Sequence, residues 1–142
     1  LLTNDGDLAY RLTHPRFRVE KEYVVTIDRG LSLIDRRKLT SGISILGRLA
    51  YAVSVKPIAG MNKPRHFNSS AHRSAAGATM SYSVILTEGQ NREIRNMFQE
   101  LGYRVSSLKR IRMGPIKLRD QPPGNVRILT KTEIKQLQSA GR

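Results

Sequence analysis

Cysteine is absent from the 142 residues, which excludes disulfides, cysteine-ligated zinc and thiol catalysis. Three histidines, His14, His66 and His72, are too few and too scattered to suggest a metal cage. No apolar run approaches the ~20 residues that a membrane helix needs, and no charged stretch followed by an apolar one opens the chain. The sequence therefore reads as that of a soluble, cytoplasmic protein that is not secreted. Acid is scarce: 11 Asp and Glu stand against 25 Lys and Arg, giving a net charge of +14. A polyanion is the natural partner. The basic residues are spread over predicted strands and turns and do not line one helix face, which favours nucleic acid over an acidic membrane surface. Any chemistry must use carboxylate, hydroxyl, amine or guanidinium groups.

With 39% hydrophobic residues the chain can form one domain with a modest core, expected to be a monomer. It opens on Leu1-Leu2-Thr3, which reads as the end of a strand, and without an initiator methionine. The expectation is a piece of a longer polypeptide. Asn4 or Asp5 can cap a short helix through Asp7 to Leu12, closed by His14-Pro15. Glu22 to Ile27 is rich in β-branched and aromatic residues and predicts a strand. A helix should start at Ser32 and run to about Leu39. A hairpin is expected from Gly42 to Val55, turning at Gly47, with Tyr51, Val53 and Val55 alternating. From Ala59 to Thr79 the only large apolar side chains are Met61 and Phe67, so this stretch predicts a long mobile loop, either folding onto RNA or idle. Tyr82, Val84 and Leu86 then alternate into a strand, Val105 to Ile111 predicts another, and Val126 to Leu129 a short third. Thr130-Lys131-Thr132-Glu133 has capping-box spacing and starts a terminal helix. This mixed order with hairpin-type connections predicts an α+β fold with a largely antiparallel sheet.

The most informative stretch is Leu86-Thr87-Glu88-Gly89-Gln90-Asn91-Arg92-Glu93-Ile94-Arg95-Asn96-Met97, a strand end turning through glycine into a helix. Ile94, Met97, Phe98 and Leu101 follow helical spacing and bury one face, leaving Arg92 and Arg95 on its flanks. A helix start offers unpaired N–H groups and a positive dipole end, so guanidiniums there make a site for carboxylate or phosphate.

This segment resembles the third motif of the RNA pseudouridine synthases that modify ribosomal RNA. The resemblance extends to Thr3-Asn4-Asp5-Gly6-Asp7-Leu8-Ala9 with Arg11-Leu12 and His14-Pro15, and to Glu20-Lys21-Glu22-Tyr23. It continues through Leu108-Lys109-Arg110-Ile111-Arg112 with Gly114 and Leu118, then Pro123-Gly124 with Arg127 and Leu129. In order and spacing these cover nearly the whole chain outside 59–79, and the sequence is identified as similar to the RsuA-like branch of that family. Gln90 and Asn96 stand where arginine or lysine is frequent.

The resemblance implies a pseudouridine-synthase-like α+β fold and isomerisation of a uridine in ribosomal RNA, with no cofactor and no metal. The glycosidic bond breaks, the uracil turns, and it is rejoined through carbon. The target base must first be flipped out of its stack. By motif position Tyr23 is the candidate stacking face and Arg95 the guanidinium that pairs with the catalytic aspartate. Leu108 is a candidate for the pocket floor, with core packing as an alternative. Lys21, Arg92, Lys109, Arg110 and Arg112 are assigned to RNA phosphates, with surface charge as the alternative for each. The family's aspartate sits in a "G-R-L-D" motif that would fall before Leu1, and Asp5 and Asp7 belong instead to the helix start. Residues 1–142 therefore read as part of a catalytic domain. A non-catalytic basic RNA-binding or ribosome-assembly module of the same fold is the other reading, and a generic ribosomal protein a third.

Overall fold

The computed structural model describes residues 1–59 and 79–140, so most of the predicted 59–79 loop lies outside the described residues. Helix α1 (Gly6–Thr13) is capped by Asp5, whose Oδ1 accepts from Leu8 N at 2.9 Å. That contact fixes Asp5 as a helix cap. A 3₁₀ turn (Pro15–Phe17) leads into β1 (Lys21–Ile27), and Ser32 caps α2 (Leu33–Ser41). Then come β2 (Ile43–Ile45), β3 (Arg48–Ala50), β4 (Ser54–Pro57), β5 (Met80–Leu86), α3 (Glu93–Glu100), β6 (Val105–Met113), β7 (Ile116–Lys117) and α4 (Lys131–Ser139).

The main sheet has the order β4-β5-β1-β6-β7, antiparallel throughout, while β2 and β3 form a separate hairpin. On β1 the alternation sends Lys21, Tyr23, Val25 and Ile27 to one face. Val25 and Ile27 are buried there in one core with Tyr82, Val84 and Leu86 of β5 and Ile94, Met97 and Phe98 of α3. A second, smaller core of Leu12, Val19, Ile116 and Leu137 ties α1 and α4 to β7. Gly102 takes φ +76° just past α3, and its N–H bonds to Gln99 O, so the helix stops at a left-handed glycine. Gly42, at φ +120°, ends α2 where a Cβ would sit 2.9 Å from Leu49 Cδ1.

Two expectations need correcting. Tyr51, Val53 and Val55 do not share a buried face: Tyr51 and Val53 are exposed, whereas Ala50, Ala52 and Val55 are buried. The chain leaves the hairpin after Ala50 and changes partner, Ala52 N bonding to Leu39 O and Val53 N to Ile85 O. That handover breaks the two-residue period. Val126 to Leu129 is not a strand, because among the described residues no strand lies alongside to pair with it. Val126 and Ile128 consequently stand 80% and 92% exposed.

Candidate nucleic-acid and catalytic site

The strand register sets out the candidate residues. Tyr23 is opposite Val84 on β5 and Arg110 on β6; Val25 is opposite Leu108, and Ile27 opposite Val105. Tyr23 and Leu108, both partly buried, pack against the main core. Arg95, on α3, donates from Nη1 to Val105 O at 3.1 Å. Its guanidinium is thus tied to the Val105 level of the sheet, four residues along β1 from Tyr23, or ~13 Å at strand spacing. Leu108 falls between the two levels. Tyr23, Leu108 and Arg95 therefore mark out one stretch of the sheet, with Tyr23 and Arg95 at its ends.

Arg92 is the N-cap of α3 at φ +56°, without a side-chain cap bond. Gly89 does not take the left-handed conformation there; the arginine does. The helix start is also partly occupied by its own acid. Gln90 N donates to Glu93 Oε2 at 3.0 Å, and Glu93 is buried, which raises its carboxyl above the ordinary range. The Gln90 side chain bonds Arg48 of the hairpin and Glu88.

The five residues assigned to phosphates divide into two groups. Lys21 is 4% exposed, and its Nζ donates to Val19 O at 3.2 Å and Thr87 O at 3.4 Å. Its position on β1 faces the core, so the expected surface contact with phosphate is corrected to an internal tie. Desolvation, followed by the nearby charge of Arg110, lowers its pKa. Arg112 is likewise committed: Nε bonds Glu22 Oε2 and Nη2 bonds Glu20 Oε2, both at 2.9 Å, while Nη1 bonds Gly114 O at 3.1 Å. Each guanidinium nitrogen serves a protein oxygen, so besides the phosphate contact assigned to it Arg112 clamps β1 to the β6–β7 turn. Arg92, Lys109 and Arg110 are exposed, and among the described residues none lies in an ion pair. Lys109 pairs with Val24 and Arg110 with Tyr23, so the last two project to opposite faces of the sheet.

Sequence reasoning missed Glu20, Glu22 and Glu93 as partners. Glu20 and Glu22 lie two apart on the approach to and start of β1, and the bulge at Glu22/Tyr23 brings Arg112 opposite Glu22. A cavity of about 700 Å³ opens against Leu1, Leu2, Leu12, Val126 and Ile128 among others, with Arg110 and Arg112 on its wall. Tyr23, Leu108 and Arg95 do not line it. Among the described residues no group of acids and histidines could hold a metal, and no helix is long and apolar enough to cross a membrane.

No family model matches the chain. It is 36% identical over 141 residues to an uncharacterized RNA pseudouridine synthase of Aquifex aeolicus, covering 97% of the chain and 50% of that protein. It is 33% identical over 118 residues to ribosomal large subunit pseudouridine synthase B of Yersinia pestis, covering 83% of the chain and 32% of that protein. A crystal structure of a pseudouridylate synthase superposes with a TM-score of 0.74 at 24% identity, over 95% of this chain and 52% of that one. The chain thus spans half or less of the length of these curated relatives, and its α+β fold is that of a pseudouridine synthase. By sequence and by fold, the chain belongs to the RNA pseudouridine synthases of the RsuA-like branch.

Proposed function

We propose that these residues supply part of the catalytic domain of an RNA pseudouridine synthase acting on a uridine of ribosomal RNA. The observation that carries this reading is the row of Tyr23, Leu108 and Arg95 along one stretch of the sheet, in a chain related over 97% of its length to an RNA pseudouridine synthase. The N1–C1′ bond of a flipped-out uridine is cleaved, the uracil rotates, C5 bonds to C1′, N1 gains a proton and C5 gives one up. Tyr23 stacks on the base, Leu108 packs beneath it, and Arg95 holds an aspartate ionised and oriented. That aspartate is supplied from outside the 142 residues. A domain completed by further chain agrees with the apolar groove at Leu1, Leu2, Val126 and Ile128, whose large side chains have no strand across them among the described residues. Arg92, Lys109 and Arg110 are the cations for phosphates.

Release of tritium from 5-tritiated uridine in ribosomal RNA tests this reading. A protein carrying a "G-R-L-D" segment ahead of these residues is expected to release it without added metal or nucleotide, and the 142-residue chain is not. Arg95→Ala or Tyr23→Ala should lower turnover by orders of magnitude and leave RNA binding largely intact. Wild-type turnover by Arg95→Ala would overturn the assignment.

A further inference from the structure

The proposed site leaves a second group of aromatic and basic residues without a role. Tyr10 of α1 lies 4.8 Å, ring centre to ring centre, from His14 and 5.7 Å, edge-on, from Phe17. The guanidinium of Arg16 sits 4.7 Å over the Phe17 ring. Phe17 is half-buried against the smaller core, which anchors the group, while Tyr10 remains 48% exposed and His14, Arg16 and Arg18 are exposed. Among the described residues neither Arg16 nor Arg18 lies within ion-pair distance of a carboxylate. The exposed acid of α1, Asp7, stands one turn before Tyr10 and Arg11, and it too is in no ion pair. Arg18 is held at φ +49°, a conformation that glycine or asparagine adopts more readily than arginine.

We propose that Tyr10, backed by His14 and Phe17 and flanked by Arg16 and Arg18, is a stacking site for an unpaired base of bound RNA. It is separate from the stretch marked by Tyr23 and Arg95. The inference rests on the reading that RNA is the partner. An aromatic ring already packed on its neighbours loses little freedom when a base covers its open face, and adjacent cations that neutralise no carboxylate meet the flanking phosphates. Stacking is indifferent to base identity, so the site would grip single-stranded RNA beside the modified position without choosing its sequence.

The chain contains no tryptophan, so Tyr10→Trp creates a single fluorescent reporter. The ligands are an oligouridylate of about ten nucleotides and an abasic ribose-phosphate oligomer of the same length. Oligouridylate is expected to quench the Tyr10→Trp emission and the abasic oligomer to leave it unchanged. By anisotropy, Tyr10→Ala should bind oligouridylate about fivefold or more weakly and Tyr10→Phe like wild type. Equal quenching by both oligomers, or an unchanged affinity for Tyr10→Ala, overturns the site while leaving RNA as the partner. Failure of the wild-type chain to bind either RNA at low salt overturns the RNA reading, and this site with it. Should Tyr10→Ala unfold, the quenching comparison alone decides.

Discussion

An ammonium group shut away from water needs oxygens in water's place, and Lys21 finds them in Val19 O and Thr87 O. The bond to Thr87 joins the end of β5 to the start of β1, just ahead of the turn that carries Arg92 and Glu93. Lys21→Met should therefore lower stability by about 1–3 kcal/mol, since two carbonyls lose a donor and buried Glu93 loses a nearby positive charge. Urea denaturation at neutral pH measures this. Because the folded-state pKa of Lys21 is lowered, its buried charge weighs on stability below that value, and the burden eases as pH rises through it. A Lys21→Met chain as stable as wild type would mean that the two carbonyls are satisfied without the ammonium. Arg112 teaches the same lesson at the other side of β1: a motif arginine with every arm engaged by Glu20, Glu22 and Gly114 O acts on the fold before it can act on RNA.

At the scale of an element, α4 shows how a helix start is secured. Thr130 Oγ1 accepts from Glu133 N while Glu133 Oε2 accepts from Thr130 N, and Arg127 binds both carboxylate oxygens at 2.8 and 2.9 Å. These bonds, that of Arg127 first, hold the Glu133 carboxyl at about 2, below its ordinary 4.5. Since the folded value is depressed, the stabilisation is complete above the ordinary value and is lost as pH falls towards about 2. Thermal melts between these limits should show wild type and Glu133→Gln converging as acid is added, and a gap that persists at the acid end would refute the coupling. Thr130→Ala should cost about 1 kcal/mol at neutral pH through loss of the cap. At the end of α3, Gly102→Ala should cost about 1 kcal/mol, because its φ of +76° strains any residue bearing a Cβ. Denaturant midpoints check both.

For the whole molecule, charge dominates. On the proposed reading, net +14 with Arg92, Lys109 and Arg110 exposed and outside any ion pair among the described residues means that binding RNA releases condensed counterions. The logarithm of the affinity for single-stranded RNA should fall against the logarithm of salt concentration with a slope of about −2 or steeper. Affinity flat between low and physiological salt would remove the electrostatic basis of the proposal. The two cores divide the labour. The larger stiffens the sheet on which Tyr23 and Leu108 stand, and the smaller fastens α1, α4 and the Tyr10 cluster to β7.

Period, composition and caps are local properties, so the residues by themselves determined most elements: α1 from a cap at Asn4 or Asp5, α2 from Ser32, α4 from its capping box, β1 from its β-branched and aromatic residues and β5 from its alternation. The motifs likewise fixed the family and picked out Tyr23, Arg95 and Leu108 as candidates, because order and spacing along a chain are themselves sequence. Which face a side chain meets is decided by partners distant in the chain. Lys21 looks like any surface cation until β5 brings Thr87 O beside it, and Arg112 looks free until a bulge sets it opposite Glu22. Val126 to Leu129 has the composition of a strand, yet a strand exists only through the hydrogen bonds of a neighbour, and among the described residues none runs beside it. The change of partner after Ala50 is of the same kind: Tyr51 and Val53 suit a buried strand face, but Leu39 O and Ile85 O, which are far from them in the chain, turn them outward.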